Sequence, residues 1–180
     1  MRKRQMPFRN YLTMAILMLA FAASIWLLLA PSGAGREAGS AEPRPGREAP
    51  AVEGVDTAGK RLSLGDYRGQ PVLVNFWASW CKPCAKEMPI IDEAYRGGEA
   101  GFRLISVNVG ETKGTVNAFL AENGISFPAL VDATGRTSAR YRVTGLPATF
   151  VVDAEGKLSR SFLGELTGRE QLEDLLFGDD

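Results

Sequence analysis

Histidine is absent from this 180-residue sequence, and cysteine occurs only twice. The lack of imidazole excludes Ser-His-Asp and Cys-His catalytic arrangements, because each uses histidine as its base. It also excludes most transition-metal sites, whose usual ligands are imidazole and thiolate. Basic and acidic residues both number 21, so the formal net charge is zero. Without a strong basic field, we do not expect nucleic acid as a partner.

The two cysteines, Cys81 and Cys84, form a CxxC motif. Such a pair can be half of a zinc site, but no further Cys or His exists to complete four ligands. A structural disulfide is the alternative and is common in exported proteins. So short a loop removes little chain entropy and would add little stability. We therefore predict a redox-active dithiol with no metal and no other cofactor.

An apolar run near the N-terminus predicts a membrane anchor. The run from Leu12 to Ala30 is uncharged and long enough to span a bilayer as one helix. Basic residues precede it, so the preceding flank should stay in the cytoplasm and everything after Pro31 should lie outside. A cleaved signal peptide has the same polarity, although its apolar region is usually shorter, about 7 to 15 residues. We expect a retained, single-pass anchor in the cell membrane with an extracytoplasmic C-terminal domain.

Three segments are therefore predicted. Residues 1–30 hold the cytoplasmic flank and the single transmembrane signal anchor. Residues 31–47 are rich in Gly, Pro, Ala and charge, without apolar periodicity, and read as a flexible linker. Residues 48–180 should form one folded domain.

The folded domain alternates strands with helices, which indicates α/β architecture. A hairpin is predicted from Val52 to Leu64, followed by a buried strand from Val72 to Trp77. The CxxC follows this strand and opens a helix from Pro83 to about Arg96, which places the dithiol at a helix N-terminus. The later predictions are strands at Phe102–Val109, Phe127–Val131, Ala148–Val152 and Leu158–Leu163, and helices at Thr112–Asn123, Ser138–Tyr141 and Thr167–Phe177.

Placement at a helix N-terminus favours reactivity of the dithiol. The free amides and partial positive charge there stabilise a thiolate, which is the nucleophile in thiol-disulfide exchange. Cys81, nearer the exposed end, is predicted to attack, and Cys84, about one turn further on, to resolve the mixed disulfide.

The stretch VLVNFWASWCKPCAKEMP, from Val72 to Pro89, resembles the active-site segment of thioredoxin-like proteins of the membrane-anchored ResA and TlpA type, with ResA the better match. The resemblance extends from about Pro50 to Thr167 and includes the stretches Ser106–Thr112 and Gly145–Phe150. It implies a thioredoxin-like fold with an N-terminal β-hairpin and a central inserted helix-strand unit. It also implies thiol-disulfide oxidoreductase activity.

The same resemblance assigns roles around the dithiol. Pro147, an ordinary loop proline by composition, would be a cis-proline facing the CxxC. Leu146 before it would contact the client protein. Trp80 is similar to the exposed active-site tryptophan of the fold, and Lys82 and Pro83, between the cysteines, would also contact the client.

Glu87 is the candidate proton acceptor. Cytoplasmic thioredoxins carry a buried aspartate where this chain has Asn75, and Glu87 matches the ResA-type glutamate thought to accept thiol protons. Without the resemblance, a glutamate in the first turn of a helix would be a solvated charge. Burial would raise its pKa and suit it to acid-base work. Lys82 replaces an acidic residue of ResA and should favour the thiolate, making the couple more oxidising.

The resemblance implies a client and an electron donor. The client would be apocytochrome c, reduced at its haem-attachment CxxCH, and the donor a membrane thiol-disulfide transporter. Other cell-envelope or spore-assembly proteins are the alternative clients. Thiol peroxidases place their cysteine in a different local motif, and related copper chaperones need a histidine ligand.

Overall fold

The computed structural model describes residues 14, 17–22, 24–25, 43–97 and 101–178. The chain divides into two compact units, Met1–Gly39 and Ser40–Asp180. In the first unit the described residues are helical and exposed. Within the described ranges, no helix is long and apolar enough to cross a membrane. The predicted anchor from Leu12 to Ala30 lies partly outside these ranges, as does most of the predicted linker.

The second unit is built from seven strands and four α-helices among its described residues. The strands are β1 (Glu53–Val55), β2 (Arg61–Ser63), β3 (Val72–Trp77), β4 (Arg103–Val109), β5 (Ala129–Asp132), β6 (Ala148–Val152) and β7 (Leu158–Leu163). The helices are α1 (Lys82–Arg96), α2 (Lys113–Glu122), α3 (Arg136–Arg140) and α4 (Arg169–Phe177). A five-stranded sheet has the order β5-β4-β3-β6-β7. The β3-β4 and β4-β5 pairs are parallel, whereas β3-β6 and β6-β7 are antiparallel.

Strand β3 lies at the centre of this sheet, and all six of its residues are buried. Because successive side chains point to opposite faces, the strand contributes to two hydrophobic clusters. Leu73 and Trp77 belong to the cluster that includes Met88 of α1. Val74 and its neighbours of the same parity belong to the cluster on the other face. Asn75, between Leu73 and Trp77, therefore carries a polar side chain onto the face covered by α1.

The predicted N-terminal hairpin and inserted helix-strand unit are both present. Strands β1 and β2 form a separate antiparallel sheet. An isolated bridge from Asp56 to Leu130 joins the hairpin to β5, and the amide of Thr57 donates to the carbonyl of Ala129 at 2.8 Å. The inserted unit consists of α2 and β5, and β5 forms one edge of the large sheet.

Some element boundaries differ from the predictions for identifiable reasons. Strand β5 begins at Ala129 rather than Phe127, since Pro128 has no amide to donate to the ladder. Helix α3 begins at Arg136 instead of Ser138, because the Asp132 carboxylate accepts hydrogen bonds from the amides of the helix's first turn. A 3₁₀ turn at Leu64–Tyr67, in which the Gly65 amide donates to the Ser63 side chain, was not predicted.

Candidate active site

Cys81 occupies the N-cap position of α1. Its Sγ accepts a hydrogen bond from the amide of Cys84 at 3.3 Å, and the two cysteines are joined by a disulfide with their Cα atoms 5.2 Å apart. The helix begins at Lys82, one residue before the predicted start, and Pro83 is in its first turn, where a missing amide costs nothing. The free amides of this turn point toward Cys81 and can stabilise a thiolate there.

The two sulfur-bearing residues differ in accessibility. Cys81 is 5% exposed and Cys84 is fully buried. Trp80 is 70% exposed, and the side chains of Lys82 and Pro83 are exposed as well. Both cysteines belong to the same hydrophobic cluster, and Cys81 is the one that keeps a small exposed surface, beside the exposed side chains of the CxxC loop, where a client disulfide can approach.

The segment before β6 borders the same cluster. The peptide bond between Leu146 and Pro147 is cis, as the resemblance implied. Leu146 is half-buried and packs against the cluster that contains both cysteines. Pro147 is buried, and its carbonyl accepts a hydrogen bond from the amide of Gly164 at 3.0 Å.

Glu87 lies on α1 three residues after Cys84 and is fully buried. Its Oε1 accepts a hydrogen bond from Asn75 Nδ2 at 2.8 Å, and its Oε2 accepts one from the amide of Leu166 at 2.9 Å. Burial raises the pKa of this carboxyl from 4.5 to about 7, against the lowering effect of both hydrogen bonds and with a smaller upward contribution from Glu165. A carboxyl with this pKa can exchange a proton near neutral pH.

A second carboxylate-centred network, which is partly buried, holds the loop between β3 and α1. Glu111 accepts hydrogen bonds from the Ser79 amide at 2.7 Å, from Ser79 Oγ at 2.5 Å and from Asn108 Nδ2 at 2.7 Å. Partial burial alone would raise the pKa of Glu111, but these hydrogen bonds outweigh it and hold the pKa below its ordinary value. Ser79 lies two residues before Cys81, so the network fixes the backbone that leads to the attacking sulfur.

The sequence did not single out Ser79, Asn108 or Glu111 as site residues. A usable signal existed, because β3 and β4 are parallel neighbours whose carboxyl ends meet at one edge of the sheet. Asn108 and Glu111 lie at the end of β4, and the CxxC follows the end of β3. No such signal pointed to Leu166, which contacts Glu87, or to Thr149, which contacts Asn75, because each lies far along the chain from its partner.

The arrangement can carry out thiol-disulfide exchange. A Cys81 thiolate attacks a client disulfide, forming a mixed disulfide and releasing one client thiolate. Cys84 then loses its proton and attacks Cys81, which re-forms the internal disulfide and releases the second client thiolate. Two electrons pass from the protein to the client, and a dithiol donor must supply two electrons and two protons to restore the reduced pair.

Proteins of known sequence resemble this chain over most of its folded unit. The chain matches the AhpC/TSA family over residues 45–161. It is 39% identical over 132 residues to the thiol-disulfide oxidoreductase ResA of Bacillus thuringiensis subsp. konkukian (strain 97-27), covering 73% of this chain and 76% of the relative. It is 38% identical over 123 residues to ResA of Bacillus subtilis (strain 168), covering 68% and 69%.

Solved structures resemble the fold as well. StoA from Bacillus subtilis superposes with a TM-score of 0.62 at 25% identity, covering 70% of this chain and 96% of StoA. A thiol:disulfide interchange protein of the thioredoxin family from Chlorobium tepidum TLS gives 0.64 at 29% identity, covering 76% and 97%.

The fold and the CxxC at the N-terminus of α1 define a thioredoxin-like thiol-disulfide oxidoreductase. The chain belongs to the AhpC/TSA family. Its similarity to curated ResA proteins confirms the resemblance inferred from the sequence, and the mixed sheet with a separate N-terminal hairpin confirms the predicted thioredoxin-like α/β fold.

Proposed function

We propose that this protein reduces the disulfide in the haem-binding CxxCH of apocytochrome c, so that haem can be attached covalently. This chain is 38–39% identical to ResA proteins. That similarity supports the proposal, since apocytochrome c is the client that a ResA-type resemblance implies. The observation that carries the proposal is the exposed surface that Trp80, Lys82 and Pro83 form next to Cys81, whose own exposed fraction is 5%.

This surface suits a polypeptide client. Trp80 offers a large apolar face with a polar edge, a combination that is common where proteins bind one another. Leu146 and Pro147 would present the backbone against which an extended client segment lies, as the resemblance implies. Such contacts would hold the client disulfide against Cys81 for attack.

Glu87 is proposed to move the proton that exchange requires. Resolution needs Cys84 as a thiolate, and Glu87 lies one helical turn away on the same face of α1. As a carboxylate it accepts the Cys84 proton, and as a carboxylic acid it returns a proton when the pair is reduced again. Its pKa of about 7 suits both directions.

We further propose that residues 12–30 anchor the protein in the cell membrane, with its redox domain on the extracytoplasmic side. Tethering would raise the local concentration of this domain beside a membrane thiol-disulfide transporter. That transporter would supply the two electrons that restore the Cys81-Cys84 dithiol after each cycle.

The client assignment is tested by trapping. In a Cys84→Ala variant expressed in its native membrane, the mixed disulfide on Cys81 cannot be resolved, and mass spectrometry identifies the linked protein. We expect apocytochrome c. Capture of other cell-envelope or spore-assembly proteins instead would contradict this client and favour the alternative. A Cys81→Ala variant is the matched control and should capture nothing.

A further inference from the structure

Two neighbouring contacts join α1 to the segment between β7 and α4. In that segment, the amide of Leu166 donates a hydrogen bond to Glu87 Oε2 at 2.9 Å. The residues just before these two, Lys86 and Glu165, form a salt bridge, with Lys86 Nζ 3.7 Å from Glu165 Oε2. Glu87 therefore lies directly beside a charge pair at the protein surface.

The two members of this pair differ in their contact with solvent. The side chain of Lys86 is 70% exposed, whereas that of Glu165 is 27% exposed. Because solvent screens an exposed charge more than a partly buried one, the Glu165 carboxylate acts on Glu87 more strongly than the Lys86 ammonium does. A neighbouring anion disfavours the ionised form of a carboxyl, and Glu165 accordingly contributes to the raised pKa of Glu87.

The other groups that surround Glu87 carry no charge. Asn75 on β3 donates to Glu87 and also to Thr149 on β6. Helix α4 contributes Leu172 and Leu176 to the hydrophobic cluster under α1. Cys84, one turn before Glu87, is held in the disulfide in the oxidised protein and does not ionise. Glu165 and its partner are thus the charges that this site meets within the described part of the chain.

We propose that Glu165 is a positioning residue for the redox site, whose carboxylate, partly offset by Lys86, governs how readily Glu87 gives up its proton. The negative charge of Glu165 favours the protonated form of Glu87, and the ammonium of Lys86 opposes that effect. This inference rests on the proposed role of Glu87 as the proton carrier. Since Glu87 must be ionised to accept the Cys84 proton, the charge pair sets the pH range in which resolution is fast.

The first measurement is the ionisation midpoint of Glu87 in oxidised full-length protein. Carbon-13 NMR of glutamate-labelled protein follows the Glu87 Cδ signal from about pH 4 to about pH 9, and its loss in Glu87→Gln identifies that signal. Wild type should have a midpoint of about 7. Glu165→Gln removes the anion and should lower the midpoint by about 0.5 pH unit. An unchanged midpoint in this variant would overturn the proposal.

Two further variants separate charge from shape. Lys86→Gln removes the cation that offsets Glu165 and should raise the Glu87 midpoint by roughly 0.2 pH unit, a smaller shift because the Lys86 side chain is more exposed. A midpoint that does not rise would contradict the offsetting role of Lys86. Glu165→Asp keeps the charge and should restore most of the wild-type midpoint, whereas a midpoint as low as that of Glu165→Gln would show that shape, and not charge, is what matters.

Glu93→Gln is the matched control. Glu93 also lies on α1 and pairs with a cation of the following helix, with Glu93 Oε1 3.9 Å from Arg169 Nη1, but it is 72% exposed and six residues after Glu87. Removing its charge should leave the Glu87 midpoint unchanged. A shift as large as that in Glu165→Gln would refute the assignment of the effect to Glu165.

Failure of the proton-carrier role has a different signature. If Glu87 carries the proton, the pH profile of exchange with an oxidised CxxCH peptide should move to lower pH in Glu165→Gln, in the same direction as the midpoint. If Glu87 does not carry it, Glu87→Gln leaves that profile unchanged, whereas the NMR midpoint of Glu87 in Glu165→Gln still reports on the charge pair alone.

Discussion

Replacing Glu87 with glutamine should raise the free energy of unfolding relative to wild type by more at neutral pH than at acidic pH. The wild-type carboxyl is fully buried and has a pKa raised from 4.5 to about 7 by that burial. Between these two values the folded state keeps a proton that the unfolded state has released. Wild-type stability therefore falls as pH rises through this window and levels off above the folded-state pKa.

The size of the effect follows from the two pKa values. At about 1.4 kcal/mol for each pH unit, ionising the buried carboxyl costs the wild-type protein about 3 kcal/mol. Glutamine carries no charge at any pH and avoids this cost. It can still accept the hydrogen bond from the Leu166 amide through its own oxygen. Any constant packing difference between the two side chains cancels when the same comparison is made at several pH values.

Urea unfolding of the oxidised proteins between about pH 3 and about pH 8 measures this difference. The stability of Glu87→Gln minus that of wild type should grow by about 3 kcal/mol from the acidic to the neutral end. Glu111→Gln is the control of opposite sign. Its hydrogen bonds hold the pKa of Glu111 below the ordinary value, so wild type should lose stability relative to that variant as pH falls. Parallel curves for wild type and Glu87→Gln would refute the assignment of Glu87 as an ionisable buried group.

Two further substitutions separate client contact from redox tuning. Trp80→Ala should change the free energy of unfolding by no more than about 0.5 kcal/mol, because Trp80 is 70% exposed. It should lower kcat/KM for a protein client by about tenfold and leave the rate with a small dithiol unchanged, and steady-state kinetics with both substrates checks this. Lys82→Glu should lower the reduction potential by roughly 30 mV or less, since an exposed cation beside Cys81 is replaced by an anion that disfavours the thiolate. Equilibration with glutathione buffers measures the shift, and a higher potential would contradict the expected sign.

The elements that carry the dithiol were predictable because their signals are local. The near-continuous apolar run from Val72 to Trp77, interrupted by Asn75, indicated a buried central strand, and the structure has β3 at those residues. Strands β6 and β7 also have the predicted boundaries. Helix α1 begins one residue before its predicted start, since Lys82 already has helical geometry after the Cys81 cap.

Local sequence patterns could not predict the polar contacts of the site. Asn75 and Glu87 are 12 residues apart, and Asn75 and Thr149 are 74 apart. Alternation along β3 places Asn75 on the face toward α1, but nothing in the residue types says which buried polar groups meet. The Leu166 amide reaches Glu87 from 79 residues away. Such contacts depend on how the sheet and helices pack, and the burial that raises the pKa of Glu87 depends on the same packing.

The most direct test of the account uses the two single-cysteine variants with a purified peptide that contains an oxidised CxxCH. Each reduced variant is mixed with the peptide, and the covalent products are separated under non-reducing conditions and identified by mass. If Cys81 attacks and Cys84 resolves, Cys84→Ala accumulates a mixed disulfide through Cys81, and Cys81→Ala forms none. Accumulation of the mixed disulfide in Cys81→Ala, and not in Cys84→Ala, would contradict the account.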